Sequence, residues 1–258
     1  MILLTVLTGV LGLVVGSFLN VVIYRVPRGE SVVTPRSHCP ACDRVITARD
    51  NVPVLSWLAL RGRCRHCHAR ISLRYPVVEL LTGVLFAVMA LRFGASWALP
   101  AYLYLAAITV ALAAIDLDVY RLPNPIVLPS YLVGAGLLLI PAVAAQRGDD
   151  ALRALLGAAA VFAFYFLLAF IYPAGMGFGD VKLAGVLGMY LGWLGWAEVL
   201  VGVFAGFLLG GVVSIGMLTL RRVTRKTAIP FGPYLLGGAL VGVLWGHAIA
   251  QAYLNTAL

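Results

Sequence analysis

Long apolar stretches, repeated almost from end to end, constrain this 258-residue chain more than any other feature. Hydrophobic residues make up 62% of the sequence and charged residues only 11%, which is more apolar surface than a water-soluble domain of this length can bury. Each stretch approaches the ~20 residues that a membrane-crossing helix needs, whereas a barrel strand needs ~10 residues of alternating polarity. We therefore predict an all-α polytopic membrane protein with about eight transmembrane helices. The predicted spans are residues 2–24, 76–93, 98–116, 125–145, 152–172, 181–196, 198–220 and 231–252, of which the sixth is short.

The basic residues predict an orientation with both termini outside. In that orientation only Arg92, Arg147 and Arg153 face outward, and the other sixteen of the nineteen Lys and Arg residues face the cytoplasm. Cytoplasmic loops of membrane proteins carry such an excess of positive charge. The net charge of +9 then indicates a face that meets anionic lipid, and it requires no nucleic acid as partner. Four of these inward charges form one run: Arg221, Arg222, Arg225 and Lys226.

A polar segment over residues 25–75 contains all four cysteines of the chain. They form two pairs, Cys39-Pro-Ala-Cys42 and Cys64-Arg-His-Cys67, separated by twenty-one residues. Two such pairs resemble a zinc ribbon, in which four thiolates surround one Zn²⁺. Four cysteines leave no open position for water, so the predicted zinc is structural.

Other uses of the cysteines stay open at this point. Two disulfides or a redox pair are the alternatives, but the predicted cytoplasmic location is reducing and favours zinc. The neighbouring histidines could replace a cysteine as ligand or support the ligands; they are His38, His66 and His68. We expect three parts in the chain: a first transmembrane helix over residues 1–24, a cytoplasmic four-cysteine zinc-ribbon-like loop over 25–75, and a second membrane region over 76–258.

Two acids lie where apolar spans meet the cytoplasmic side. Asp116 ends the third span and Asp180 directly precedes the sixth, so both are expected at one membrane depth. Placing a carboxylate within the bilayer costs free energy, so such a residue indicates a functional site. Two carboxylates that share one water cannot both ionise cheaply, so one holds a proton and the other accepts one from the water. This pair is the minimum equipment for aspartyl protease chemistry.

Several neighbours of these acids are candidate lining residues. Gly177 and Gly179 lack side chains where a substrate backbone must approach closely. Asp118 and Lys182 either line the site or face the lipid headgroups. Glu79 either lines the site or pairs with Arg74. The candidates that line the site are Gly177, Gly179, Lys182, Glu79 and Asp118.

Six segments of the chain resemble motifs of bacterial prepilin leader peptidases, the aspartyl proteases with a Gly-x-Gly-Asp motif that serve type IV pili and type II secretion. The acid motifs match as Ile-Asp-Leu-Asp and Gly-Phe-Gly-Asp-Val-Lys. The matching segments are residues 16–25, 53–57, 61–64, 71–76, 115–118 and 177–182.

The resemblance implies a bifunctional enzyme of the bacterial inner membrane. It implies removal of a short basic leader from prepilins and pseudopilins, on the cytoplasmic side and after a glycine, by Asp116 and Asp180 within an aspartyl peptidase domain over residues 76–258. It further implies methylation of the new N-terminal residue, usually phenylalanine, with S-adenosylmethionine as donor. The four-cysteine module resembles the one in most bifunctional members.

The chain departs from the family pattern at one position. The family often has Leu-Pro-Asp where this sequence has Leu122-Pro123-Asn124, and asparagine cannot act as a base. No glycine-rich fingerprint for S-adenosylmethionine is visible, so the motifs do not place a methyl-donor site.

Two other function classes compete with the peptidase hypothesis. A proton-coupled transporter could use Asp116 and Asp180 as relay acids, but such proteins are often built from inverted repeats, and the sequence has none. A thiol–disulfide oxidoreductase could use the cysteine pairs, but it requires outward-facing cysteines, opposite to the predicted orientation.

Overall fold

The computed structural model describes residues 1–173, 176–220 and 230–257. The basic run that contains Arg221, Arg222, Arg225 and Lys226 lies outside these residues. The chain forms two compact units, Met1–Ala111 and Leu112–Leu258, and each is described by itself below.

Within the described residues the chain is all-α and has no β-strand, as predicted. Seven helices are long and apolar enough to cross a membrane, and α7, the short sixth span, has 17 residues. All eight predicted spans coincide with a helix. The helices are α1 (Ile2–Arg25), α2 (Leu55–Ala59), α3 (Arg74–Phe93), α4 (Leu99–Val119), α5 (Asn124–Ala144), α6 (Gly148–Ile171), α7 (Phe178–Leu194), α8 (Trp196–Thr219) and α9 (Gly232–Ala257).

In the second unit, the short helix α7 is the central element. Nearly every residue from Asp180 to Trp193 is buried, and α7 packs against α5, α6, α8 and α9. A helix that is apolar on all sides is buried on all sides.

Glycines allow α6 and α7 to approach until their backbones touch. A Cβ atom added to Gly188 would lie 2.5 Å from the carbonyl oxygen of Gly157, and one added to Gly157 would lie 2.6 Å from that of Gly188. Small residues at helix crossings are the usual route to tight packing in lipid, where no hydrophobic effect drives helices together. The contact fixes α7 laterally against α6.

An arginine secures the far end of α7. Arg153 on α6 donates from Nε to the carbonyl oxygen of Gly192 (2.8 Å) and from Nη2 to that of Trp193 (2.9 Å). The last carbonyls of a helix have no partner within the helix, and a cation satisfies them while complementing the helix dipole. Arg153 also pairs with Asp150 at 2.6 Å. Helix α7, which carries Asp180 in its first turn, is thus held along its side by α6 and at its C-terminal end by Arg153.

In the first unit, α1 and α3 pack through a similar glycine contact. A Cβ added to Gly12 would lie 2.8 Å from the Cα of Gly83. Near the end of this pair, Asn20 Nδ2 donates to the carbonyl oxygens of Tyr75 (3.2 Å) and Gly16 (3.3 Å). These bonds tie the chain that enters α3 to α1, so the segment between the two helices starts and ends at adjacent points.

Candidate active site and metal centre

The two predicted catalytic acids lie together in the second unit. Asp116 is near the C-terminal end of α4 and Asp180 is in the first turn of α7. Both carboxylates are buried, with Asp116 4% and Asp180 9% exposed. Leu122 lies between the surroundings of the two acids. A Cβ added to Gly232, which bonds Asp116, would lie 3.2 Å from Leu122 Cδ2. A Cβ added to Gly179, which precedes Asp180, would lie 3.1 Å from Leu122 Cβ. The structure therefore buries both acids around one segment of the second unit although sixty-three residues lie between them in the sequence.

Asp116 is held by the N-terminus of α9. The backbone N–H of Gly232 donates to Asp116 Oδ2 at 3.0 Å. The first N–H groups of a helix lack partners within the helix and favour a negative charge. Gly232 is a site residue that the sequence did not reveal, because a backbone donor has no side-chain signature. Its only signal is its place in the turn-forming run Pro-Phe-Gly-Pro at residues 230–233.

Asp180 is held by the cap of its own helix. Its Oδ2 accepts the backbone N–H of Gly177 at 3.2 Å, and its backbone N–H donates to the carbonyl oxygen of Gly177 at 3.0 Å. Gly177 is extended, with φ −73° and ψ 146°, and the helix starts at Phe178. Asp180 thus occupies the third helical position of a reciprocal cap, which limits its side-chain freedom.

The two predicted lining glycines make room for the chain itself. A Cβ added to Gly179 would lie 3.1 Å from the Cβ of Leu122, and one added to Gly177 would lie 3.2 Å from Asp180 Oδ2. The segment that leads from α4 to α5 therefore packs on the start of α7. This contact brings the Leu-Pro-Asn motif beside the Gly-Phe-Gly-Asp motif.

The other predicted lining residues each have different surroundings. Lys182 Nζ donates to Asn124 Oδ1 at 3.0 Å and lies 4.8 Å from the ring centre of Phe178. Asn124 thus takes part in the site as an acceptor for lysine. Asp118 is exposed near the end of α4.

Glu79 lies in the first unit and joins α3 to the loop. Its side chain is buried, and Oε2 accepts the backbone N–H of Val54 at 2.7 Å. Val54 precedes α2 and has φ +59°, a conformation that is strained for a β-branched residue. The buried carboxylate therefore stabilises an unfavourable turn of the four-cysteine module. The sequence did not suggest this backbone N–H as a partner of Glu79.

The four cysteines form a candidate metal centre, as predicted. The sulfur atoms of Cys39, Cys42, Cys64 and Cys67 all lie within 4.8 Å of one another. The Sγ atoms of Cys39 and Cys67 are 3.7 Å apart, and Zn–S bonds of about 2.3 Å place the sulfurs of a tetrahedral site about 3.8 Å apart. All four are free cysteines. The donor set and its spacing fit a tetrahedral metal ion.

The two cysteine pairs have the same local fold. The carbonyl oxygen of Cys39 accepts the N–H of Asp43 at 2.8 Å, and that of Cys64 accepts the N–H of His68 at 3.1 Å. The residue after each pair has a left-handed backbone, with φ 55° at Asp43 and 56° at His68. Each pair is thus a tight turn that presents two sulfurs to one side, which is how the spacing of the cysteines becomes a ligand geometry.

The surroundings favour a thiolate at Cys64, whereas desolvation and the neighbouring sulfurs raise the pKa of Cys67 to about 11. Backbone N–H groups of Cys67 and His66 lower the pKa of Cys64 to about 6, and a thiolate is the form that binds metal. Nearby, Arg65 donates to Asp50 from Nε (2.9 Å) and Nη2 (2.6 Å), and this bonding holds the pKa of Asp50 below its usual value. His66 instead contacts Arg44, with 3.2 Å between Nδ1 and Nη1. No histidine belongs to the ligand group among the described residues.

Comparisons with known proteins agree with this arrangement. Residues 10–93 match the family model described as bacterial peptidase A24 N-terminal domain, and residues 103–215 match the type IV leader peptidase family. No solved structure matches.

Curated relatives cover nearly the whole chain. A protein of Aeromonas salmonicida named prepilin leader peptidase/N-methyltransferase is 38% identical over 95% of this chain and 92% of its own length. Proteins of the same name from Pseudomonas aeruginosa and Bacillus subtilis are 36% and 34% identical, over 97% and 96% of this chain and 93% and 97% of their own lengths. With two buried acids at the start of α7 and the end of α4, and with relatives that match from end to end, this chain belongs to the type IV leader peptidase family.

Proposed function

We propose that the protein is a prepilin leader peptidase and N-methyltransferase of the bacterial inner membrane, with Asp116 and Asp180 as its peptidase pair. The observation that carries the proposal is the meeting of these two buried carboxylates, which the match to the named relatives supports. Seven apolar helices make it a multi-pass membrane protein. The transporter alternative is not favoured, because the family's named members are peptidases.

In the proposed mechanism the carboxylates share one water molecule. One acid is ionised and takes a proton from the water, whose oxygen forms a bond to the carbonyl carbon of the scissile peptide. The other acid is protonated and gives its proton to the carbonyl oxygen. The tetrahedral intermediate then collapses: the C–N bond breaks, the leaving amine takes up the proton that came from the water, and one hydroxyl returns a proton to the second acid as the new carboxyl group forms. The pair acts as one titrating unit.

The backbone donors orient this pair. The N–H groups of Gly232 and Gly177 each bond an Oδ2 atom, so we assign the Oδ1 atoms of Asp116 and Asp180 to the water. Fixed donors of this kind keep the reacting groups in place before substrate arrives, which avoids reorganisation during the reaction.

We assign the site to the cytoplasmic side, with both chain termini outside. The substrates in this proposal are prepilins and pseudopilins, whose apolar helix enters from the bilayer while anionic lipid holds the basic leader at the surface. Lys182, together with Asn124, lies at the mouth of this site. The ion in the cysteine module is Zn²⁺ with a structural role, and S-adenosylmethionine supplies the methyl group for the second reaction.

Mass spectrometry of a prepilin incubated in membranes tests the function. With this protein and S-adenosylmethionine present, we expect the prepilin to lose its leader and gain one methyl group. Without S-adenosylmethionine we expect loss of the leader alone. Membranes that lack the protein serve as the control, and an untouched prepilin would contradict the proposal.

The Gly232→Ala variant tests the part played by α9. The added Cβ would lie 2.7 Å from Asp116 Oδ2 and 3.2 Å from the Cδ2 of Leu122, so the carboxylate must move. Because misplacement by about 1 Å costs on the order of 10²-fold in rate, we expect leader cleavage to fall by about that factor.

Gly211→Ala is the matched control. An added Cβ at Gly211 on α8 meets nothing within 4 Å in the described part of the chain, so near-normal cleavage is expected. Rates from both variants are compared on one prepilin at equal amounts of inserted protein. Equal cleavage rates for Gly232→Ala and the unmodified protein would contradict the assignment of α9 to the active site.

A further inference from the structure

One buried hydroxyl near the aspartates has no role in the mechanism above. Tyr165 on α6 is 1% exposed. Within residues 1–173, 176–220 and 230–257, its hydroxyl has no hydrogen-bond partner. Buried polar groups in folded proteins are nearly always bonded, and an exception asks for an explanation. Because this hydroxyl has no partner before substrate binds, it can donate a hydrogen bond to a group whose charge or position changes during the reaction.

A chain of aromatic contacts links Tyr165 to the residue before the anchor of Asp116. The Tyr165 ring stacks on Phe207 of α8, with 5.4 Å between ring centres and 3° between ring planes. Phe207 in turn contacts Phe231, with ring centres 5.7 Å apart. Phe231 directly precedes Gly232, the residue whose N–H bonds Asp116.

A cavity links Tyr165 to the helical turn of α7 that follows Asp180. Tyr165 lines a small cavity together with Ala184 and Leu235. Ala184 follows Asp180 by four residues, which puts it about 6 Å further along the same face of α7. Leu235 similarly follows Gly232 by three residues on α9.

Water in this cavity does not explain the hydroxyl. A buried water typically makes about three hydrogen bonds, whereas the cavity wall is apolar apart from Tyr165: it consists of Val161, Tyr165, Ala184, Leu187, Leu191, Gly202, Val203, Leu235 and Ala239. A water molecule there would gain one polar partner. The nearby group that carries charge is the aspartate pair.

We propose that Tyr165 is a positioning residue of the peptidase, whose hydroxyl donates a hydrogen bond to the Asp180 carboxylate in the reacting state. Hydrogen bonds at catalytic groups are often long before substrate binds and tighten in the complex. The bond holds Asp180 in place while it exchanges protons with the water and the scissile carbonyl. This inference rests on the proposed peptidase function.

Tyr165→Phe tests the inference, because it removes the hydroxyl and keeps the ring that stacks on Phe207. Loss of a hydrogen bond to a charged group corresponds to a rate loss of about ten- to a hundredfold. We therefore expect kcat for leader cleavage to fall by at least about tenfold, with KM for the prepilin unchanged. A purely structural role would lower the amount of folded protein and leave its kcat unchanged.

Tyr190→Phe is the matched control. Tyr190 is 0% exposed, like Tyr165, but it follows Asp180 by ten residues, about 15 Å along α7. A Cβ added to Gly134 on α5 would lie 2.8 Å from its hydroxyl, so its surroundings belong to the α5–α7 contact. We expect its kcat to stay within about twofold of the unmodified protein.

The assay uses full-length protein in vesicles, one synthetic prepilin, and thermal unfolding of each variant. An Asp180→Asn arm separates the two proposals. If Asp180→Asn is inactive and Tyr165→Phe loses less than about tenfold in kcat, or if Tyr190→Phe loses as much, the inference about Tyr165 is wrong and the peptidase function stands. If the unmodified protein leaves the prepilin intact, or if Asp180→Asn cleaves normally, the assigned function falls and the role of Tyr165 with it.

Discussion

Asp116→Asn and Asp180→Asn, made singly, are each expected to abolish leader removal while leaving the protein folded and inserted. Asparagine has the size of aspartate and retains an oxygen that can accept the N–H of Gly232 or Gly177, so the local structure is kept. It can neither take the proton from water nor give one to the carbonyl oxygen. Acid–base catalysis contributes about 10²–10⁴-fold, and both steps depend on the pair, so we expect a loss of at least about a thousandfold.

The double variant gives a sharper result than either single change. Groups that act as one unit are strongly non-additive, so Asp116→Asn combined with Asp180→Asn is expected to be no slower than the slower single variant. Initial rates of leader removal, measured on one prepilin at equal amounts of inserted protein, check this. Cleavage by either single variant at a tenth of the normal rate would contradict the assignment of the pair.

Two controls accompany these variants. Asp149→Asn removes an exposed acid in the first turn of α6 and is expected to leave cleavage unchanged. A prepilin whose leader has already been removed is supplied to the inactive variants with S-adenosylmethionine, and methylation is expected to continue, because the aspartate pair serves only the hydrolysis. Loss of methylation in these variants would indicate damage to the whole protein.

Removal of one cysteine is expected to release the metal and unfold the loop that carries it. Elemental analysis should find one zinc per chain in the unmodified protein and little zinc in the Cys42→Ser or Cys64→Ser variant. The module has few large buried side chains, and its two tight turns depend on left-handed backbone at Asp43 and His68. Structural zinc contributes about 10–16 kcal/mol to folding in small zinc domains, so its loss should leave residues 25–75 open to protease.

His66→Asn is the control for the ligand set. His66 contacts Arg44 and does not belong to the sulfur group, so this variant should keep its zinc and its resistance to protease. Retention of zinc in Cys42→Ser together with its loss in His66→Asn would show that a histidine is a ligand. Oxidised thiols in the purified protein, or the absence of zinc, would exclude the zinc assignment.

Hydropathy predicts the spans well because it is a local property, but it places helix ends only to within a few residues, and the start of α7 is the end that matters for the site. The predicted span begins at residue 181, where the apolar run begins, whereas the helix begins at Phe178. The start of the helix depends on a reciprocal cap between Gly177 and Asp180. The glycines on either side of Phe178 are weak helix formers, so the sequence does not indicate that the helix begins there. Asp180 therefore lies inside the first helical turn, where its carboxylate is held by the backbone.

The neighbours of the acids are less predictable than the acids themselves. Glu79 is recognisable as a costly acid, but its partner is the backbone N–H of Val54, and a backbone donor leaves no trace in composition. Tyr165 is an aromatic residue in an apolar run, and nothing in that run distinguishes it from a residue that faces lipid. Gly179 is expected to admit a substrate, whereas the contact made in the structure is with Leu122.

By itself, the sequence determined the helical membrane class, the apolar segments that form helices and the clustering of the four cysteines. These follow from local composition, residue type and short spacings, which a linear chain displays directly. Only the tertiary structure decided which span is buried on all sides and that the N–H of Gly232 holds Asp116. It also decided that Tyr165 lines one cavity with Ala184 and Leu235, which follow Asp180 and Gly232 by about one helical turn. Those relations join residues far apart along the chain, so they arise only when the packing of α4, α6, α7, α8 and α9 brings them into contact.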